Sequence, residues 1–165
     1  MYKYPNIKFI ENPAYNEANN ISSAMCVRYL LNNAYVCEGD ILLHNPKIIQ
    51  KYQYKSNYCG IKCDRTDDWC LFENKGRITG YAVGGENCHQ MMGISYWTEE
   101  DGRKLGDCIK KVYEMPGGKE RYWDQVALGY YVEDFDISIR ECSFDDFIEI
   151  DTFNELKAID KIYDV

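Results

Sequence analysis

The chain has 165 residues, 45% of them hydrophobic and 28% charged, with 27 acidic residues against 19 basic ones and a net charge of −8. That is one domain's length, enough to bury a core without a disulfide or metal staple. The acidic balance argues against nucleic acid or an anionic membrane surface as partner and suits a cationic ligand or a carboxylate-held divalent metal.

Taken in chain order, Ile7 to Glu11 alternates and reads as a short strand, ended by Asn12-Pro13. Asn20 is placed to cap a helix over Ile21 to Leu31. Ala34 to Cys37 is an apolar run between Asn-Asn and Glu-Gly-Asp and reads as a buried strand. Asn45-Pro46 starts a helix running to about Tyr54. Four extended segments follow, Tyr58 to Cys63, Trp69 to Glu73, Arg77 to Val83 and His89 to Tyr96. A hairpin-type turn at Asn74-Lys75-Gly76 joins the middle two, and Gly84-Gly85 separates the last two. Thr98 caps a helix with Glu99 and Glu100 in its first turn and Lys110 and Lys111 near its end. A helix near Trp123 to Tyr131, strands at Ile137 to Arg140 and Ile148 to Ile150, and a last helix from about Phe153 to Tyr163 complete the pattern.

Early strand–helix–strand units predict an α/β fold with a mixed, mainly parallel sheet, helices on both faces and an antiparallel insertion. Ligands of such sheets sit beyond the carboxyl ends of the strands. Three places answer to that rule: Glu38-Gly39-Asp40, Gly84-Gly85, and Glu149-Ile150-Asp151.

The first thirty residues contain Pro5, Glu11, Pro13 and Glu17 and no apolar signal segment, and no apolar run approaches the ~18 residues of a membrane span. The expectation is a reduced, cytoplasmic protein whose eight cysteines are free thiols. Cys59, Cys63 and Cys70 are spaced C-x3-C-x6-C, with Cys88-His89 beyond. A structural zinc site usually shows two tight pairs and only one is tight here, so small buried thiols are the competing reading.

Asp40 and Asp151 each follow a strand pattern, and two such carboxylates can share one magnesium ion whose other positions go to phosphate and water. Ordinary readings stand beside this one: Asp40 as a turn residue and Asp151 as a helix cap. Trp69, Tyr96-Trp97 and Tyr122-Trp123-Asp124 place aromatics near acids, a combination that holds a quaternary ammonium by cation–π attraction. Core packing is the alternative for each tryptophan. The two histidines, His44 and His89, occupy no recognisable catalytic setting.

The ordered set N-P-x-Y (Asn12 to Tyr15), N-N-I-x-S (Asn19 to Ser23), N-A-Y-V-x-E-G-D (Asn33 to Asp40), D-W-C (Asp68 to Cys70), G-I-S-Y-W (Gly93 to Trp97), Y-W-D (Tyr122 to Asp124) and E-I-D-T-F-x-E-L (Glu149 to Leu156) resembles the bacterial CTP:phosphocholine cytidylyltransferases, within the sugar-phosphate nucleotidyltransferase family. The resemblance covers nearly the whole chain. It implies a Rossmann-like fold and transfer of a cytidylyl group from CTP to phosphocholine, releasing pyrophosphate. It implies that Asp40 and Asp151 are the catalytic, magnesium-holding carboxylates, with Glu149 as their neighbour. Trp69, Tyr122 and Asp124 match the positions that hold the choline cation, with Trp123 and Trp97 as further aromatic candidates. A sugar 1-phosphate acceptor, or a choline-binding chain without turnover, are the alternatives.

The family begins with a strand and a glycine-rich triphosphate loop carrying an Arg and a downstream Pro-Lys. Here the first glycine is Gly39, so residues 1–165 read as a single truncated domain with the first strands absent. Weak CTP binding, an inactive isolated chain, and homo-oligomers through a bared sheet edge are the expectations that follow.

Overall fold

The computed structural model describes residues 4–163. Its elements are α1 (Ile21–Val27), β1 (Ala34–Cys37), β2 (Ile41–Leu43), β3 (Asn57–Asn74), β4 (Arg77–Trp97), α2 (Glu99–Glu114), a π-helical turn (Val126–Tyr130), β5 (Ser138–Glu141), β6 (Phe147–Glu149) and α3 (Phe153–Ile159). A four-stranded sheet runs β1-β4-β3-β5 and a two-stranded one pairs β2 with β6.

The four extended segments of the sequence become two long strands. The turn between them is tight because Lys75 (φ 53) and Gly76 (φ 78) both take the left-handed conformation, which favours Gly at such a position. The register breaks between Thr66 and Trp69, and Gly84 (φ 77) and Asn87 (φ 51) bend the opposite strand. The hairpin therefore folds back on itself: Cys70 pairs with both Ala82 and Gln90, and Leu71 with both Tyr81 and His89.

The α/β class stands, and the structure refines its detail. Among the described strands, β3–β5 is the parallel pairing, whereas β1–β4, β3–β4 and β2–β6 are antiparallel. The expected mainly parallel sheet is thus a mixed, curled one, because the long hairpin supplies most of its pairs. One face packs on α1, α2 and the π-helical turn, through Ile21, Leu105, Ile109 and Val126 against Tyr58, Leu71 and Trp97. The other face, where a second helix layer was expected, is closed by β2 and β6 and a short turn: Ile48 and Phe147 pack on Cys59, Ile61, Met92 and Ile94. The helix expected from Pro46 to Tyr54 is only a single 3-10 turn, Pro46–Ile48, with Asn45 accepting from the Lys47 amide. The strand expected at Ile7 to Glu11 is not formed, and Ile7 and Phe9 stay exposed.

Helix ends follow their local chemistry. Thr98 caps α2 by accepting from the Asp101 amide, as its sequence predicts. Asn20 precedes α1 without capping it, and its side chain accepts instead from the Trp123 amide at 2.9 Å, tying α1 to the segment before the π-helical turn. β1 and β5 form the edges of the four-stranded sheet. No helix of the described residues is long and apolar enough to cross a membrane.

Candidate active site

The β2–β6 ribbon is what assembles the acidic corner. Ile41 lies opposite Glu149, and the Ile150 amide donates to the Asp40 carbonyl at 2.9 Å. Residues more than a hundred positions apart are thereby held side by side. One carboxylate oxygen each from Glu38, Asp40 and Glu149 lies within 4.8 Å of the others. Gly93 makes room for this: its carbonyl accepts from the Glu38 amide at 2.9 Å, and a β-carbon on it would overlap the Glu38 carboxylate.

Crowding is visible in the proton affinities. Burial, then the charges of Asp124 and Asp40, push the Glu38 carboxyl up to about 7. Burial, then the charges of Asp151, Asp40, Glu38 and Asp68, push Glu149 up to about 7. A divalent cation would relieve that repulsion, and hard carboxylate oxygens are the donors magnesium accepts.

Asp151 stands beside this set. The cap of α3 is Thr152, in a complete capping box with Glu155, so Asp151 is released from the capping role its position allowed. Its amide donates to Glu155 Oε2 at 2.9 Å, its side chain is exposed, and its charge acts on Glu149.

A wall of aromatics stands on the long hairpin and the segment before the π-helical turn. The Trp69 ring stacks on Tyr81 (centroids 5.3–5.4 Å from its two neighbours) and meets Tyr122 edge-on. Gln125 latches the two tyrosines: its Nε2 donates to the Tyr81 hydroxyl at 2.9 Å and its Oε1 accepts from the Tyr122 amide at 3.0 Å. Tyr81 also lies directly on Gly129, where a β-carbon would stand 2.8 Å from its ring. Asp68, next to Trp69, is held by the Gln90 side chain at 3.2 Å, and its charge reaches Glu149. Asp68 thus stands beside the wall and within electrostatic reach of the corner.

The remaining candidates lie deeper. Asp124 is buried, accepts from the Tyr58 hydroxyl at 2.7 Å, and is pushed by burial up to about 6 against the lowering effect of that hydrogen bond. Its charge acts on Glu38, linking the core to the corner. Trp123 (6% exposed) packs on Tyr58 and Trp97, and Trp97 (0%) also packs on Phe135. These two tryptophans support the site from within the core, and Trp97 is walled off from it. Two residues were missed by motif reading. Glu38 lies in the Glu38-Gly39-Asp40 turn between β1 and β2, a place the sequence marked without assigning Glu38 a metal-holding role. Tyr81 sits diagonally across the hairpin from Trp69, which the turn at Lys75-Gly76 could have shown.

A cleft of about 720 Å³ opens between α1 and β1, and Glu38, Gly39, Asp40 and Trp123 are among the residues lining it.

No protein-family profile matches the chain. It is 30% identical over 165 aligned positions to the 2-aminoethylphosphonate cytidylyltransferase of Lancefieldella rimae, covering 98% of this chain and 67% of that protein. It is 24% identical to the choline-phosphate cytidylyltransferase of Haemophilus influenzae, covering 91% of this chain and 65% of that protein. Its fold matches the CTP:phosphocholine cytidylyltransferase LicC of Streptococcus pneumoniae with a TM-score of 0.78 at 23% identity, over 92% of this chain and 66% of that one. The chain thus spans about two thirds of the length of the relatives it matches. The fold is the Rossmann-like one of the nucleotidyltransferases, and the chain belongs to the cytidylyltransferases of that family.

Proposed function

We propose that this protein serves cytidylyl transfer from CTP to a small acceptor with a phosphate-type group at one end and an ammonium at the other, with phosphocholine as the preferred acceptor. The observation that supports this reading is the pairing of two unlike surfaces: an acidic corner and, within electrostatic reach of it through Asp68, an aromatic wall. The corner suits phosphate-bound magnesium, and the wall suits a trimethylammonium.

Glu38, Asp40 and Glu149 are the residues that would hold magnesium, with Asp151 joining them as the second carboxylate of the reaction. Bound there, the ion would supply charge neutralisation for the reacting phosphates. Trp69 and Tyr122 would hold the acceptor's cation, with the Asp68 and Asp124 charges setting a negative potential around it. Attack by the acceptor's phosphate oxygen on the α-phosphorus of CTP needs alignment and charge neutralisation more than a proton shuttle, which agrees with a site that contains no histidine.

The test is pyrophosphate release from CTP and magnesium by the protein expressed from its whole gene, with phosphocholine or 2-aminoethylphosphonate as acceptor. CDP-choline formation supports the proposal. Turnover with the phosphonate alone overturns the acceptor assignment, and turnover with neither acceptor overturns the transferase reading. Calorimetric binding of phosphocholine without turnover would establish a choline-binding role instead.

A further inference from the structure

Three cysteines outside the proposed site meet where the long hairpin folds back. Cys63 on β3 lies opposite Cys88 on β4, with their sulfurs 3.8 Å apart. Cys63 is half-buried and Cys88 is buried. Opposed residues of an antiparallel pair have Cα atoms about 4.5–5.5 Å apart, inside the range a disulfide spans. Cys70 closes the cluster from the inner side. A β-carbon on Gly85 would lie 2.7 Å from the Cys70 sulfur and 3.3 Å from that of Cys88, so this glycine is the floor on which both thiols rest.

We propose that Cys63 and Cys88 are a modification site, a thiol pair that a peroxide converts reversibly to a disulfide. Cys63, the more accessible, attacks as thiolate and breaks the O–O bond; it becomes a sulfenic acid and one oxygen leaves as water. The Cys88 thiolate then displaces the second oxygen as water. Two thiols and one hydrogen peroxide give one disulfide and two waters, with sulfur oxidised and peroxide oxygen reduced. Burial pushes both thiols up, so the attack is slow at neutral pH.

The bond would close residues 63–88 into a covalent loop that contains Trp69 and Tyr81. Oxidation thereby stiffens the mount of the aromatic wall without touching a residue assigned to binding.

The experiment is treatment of the whole protein with hydrogen peroxide, alkylation of remaining thiols, and non-reducing peptide mapping. A Cys63–Cys88 linked peptide that dithiothreitol reverses supports the site. So does a rise in Tm of roughly 5–10 °C that is absent in Cys63→Ser. Serine at half-buried Cys63 keeps the fold, which circular dichroism checks. Linkage at Cys70–Cys88, at any other cysteine pair or between molecules overturns the assignment. So does a Cys63 that stays alkylatable, or one that passes to sulfinic acid without a partner.

Discussion

The acidic corner and the aromatic wall are built by opposite means. The corner is a long-range object. Glu38 and Asp40 meet Glu149 only because β2 pairs with β6, and burial first, with neighbouring acidic charges adding to it, raises the Glu38 and Glu149 carboxyls to about 7. The wall is made mostly within one hairpin, Trp69 on β3 and Tyr81 on β4, with Tyr122 and Gln125 added from the segment before the π-helical turn. Its parts attract one another. A site for a charged ligand can thus be strained where the ligand's charge will compensate it, and relaxed where shape does the holding.

Asp40→Asn tests the strained half and carries the largest expected effect. Turnover is expected to fall about 10²–10³-fold with the circular dichroism unchanged, the size seen when charge stabilisation is removed from a transition state. Calorimetry should show weaker magnesium binding. An Asp40→Asn protein with unaltered turnover would mean that the corner is a solvated acidic surface.

Asp124, buried beneath the corner, makes a pH prediction. Its carboxyl is raised from 3.8 to about 6, so the folded state binds this proton more tightly than the unfolded chain does. Its contribution to stability is complete below 3.8 and is lost as pH rises through about 6. The shift is worth about 3 kcal/mol at most. Asp124→Asn keeps an acceptor for the Tyr58 hydroxyl and should gain stability relative to the parent across that window in urea titrations. Equal curves for the two proteins at every pH would show that Asp124 is not the group carrying the slope.

Trp69→Ala tests the relaxed half. Phosphocholine affinity is expected to fall about 5–30-fold, the worth of one desolvated cation–π contact, with magnesium affinity unchanged. Loss of both affinities together would erase the distinction between corner and wall. The smallest effect belongs to Thr152→Ala. Removing the cap of α3 should cost about 1 kcal/mol in denaturant melts and loosen the segment that carries Asp151.

Much of this was legible from the chain. The Lys75-Gly76 turn, the α2 cap at Thr98, the apolar run of β1 and the extended segments around them are set by neighbours in sequence, and they form as their patterns predict. Asp40, Trp69, Tyr122 and Asp124 stood out by residue type; the structure puts Asp40 in the acidic corner, Trp69 and Tyr122 in the aromatic wall and Asp124 in the core. Where local pattern failed, a tertiary contact decided. Ile7 to Glu11 alternates like a strand but pairs with no neighbour, and a strand without a ladder is not stable. The helix at Pro46 stops after one turn, where Ile48 is already buried against the sheet.

By itself the sequence determined the α/β class, the family resemblance, and an acidic, aromatic chemistry suited to a metal-bound phosphate and a cation. Tertiary structure alone decided which acids converge. It brought Glu38 and Glu149 to Asp40 and left Asp151 just outside. It also put Trp97 in the core and Tyr81 on the wall. The reason is physical: residue type and local period fix what each side chain can do. Strand pairing between distant segments fixes which side chains share a space, and a bulge or a left-handed glycine redirects that pairing without leaving a period to read.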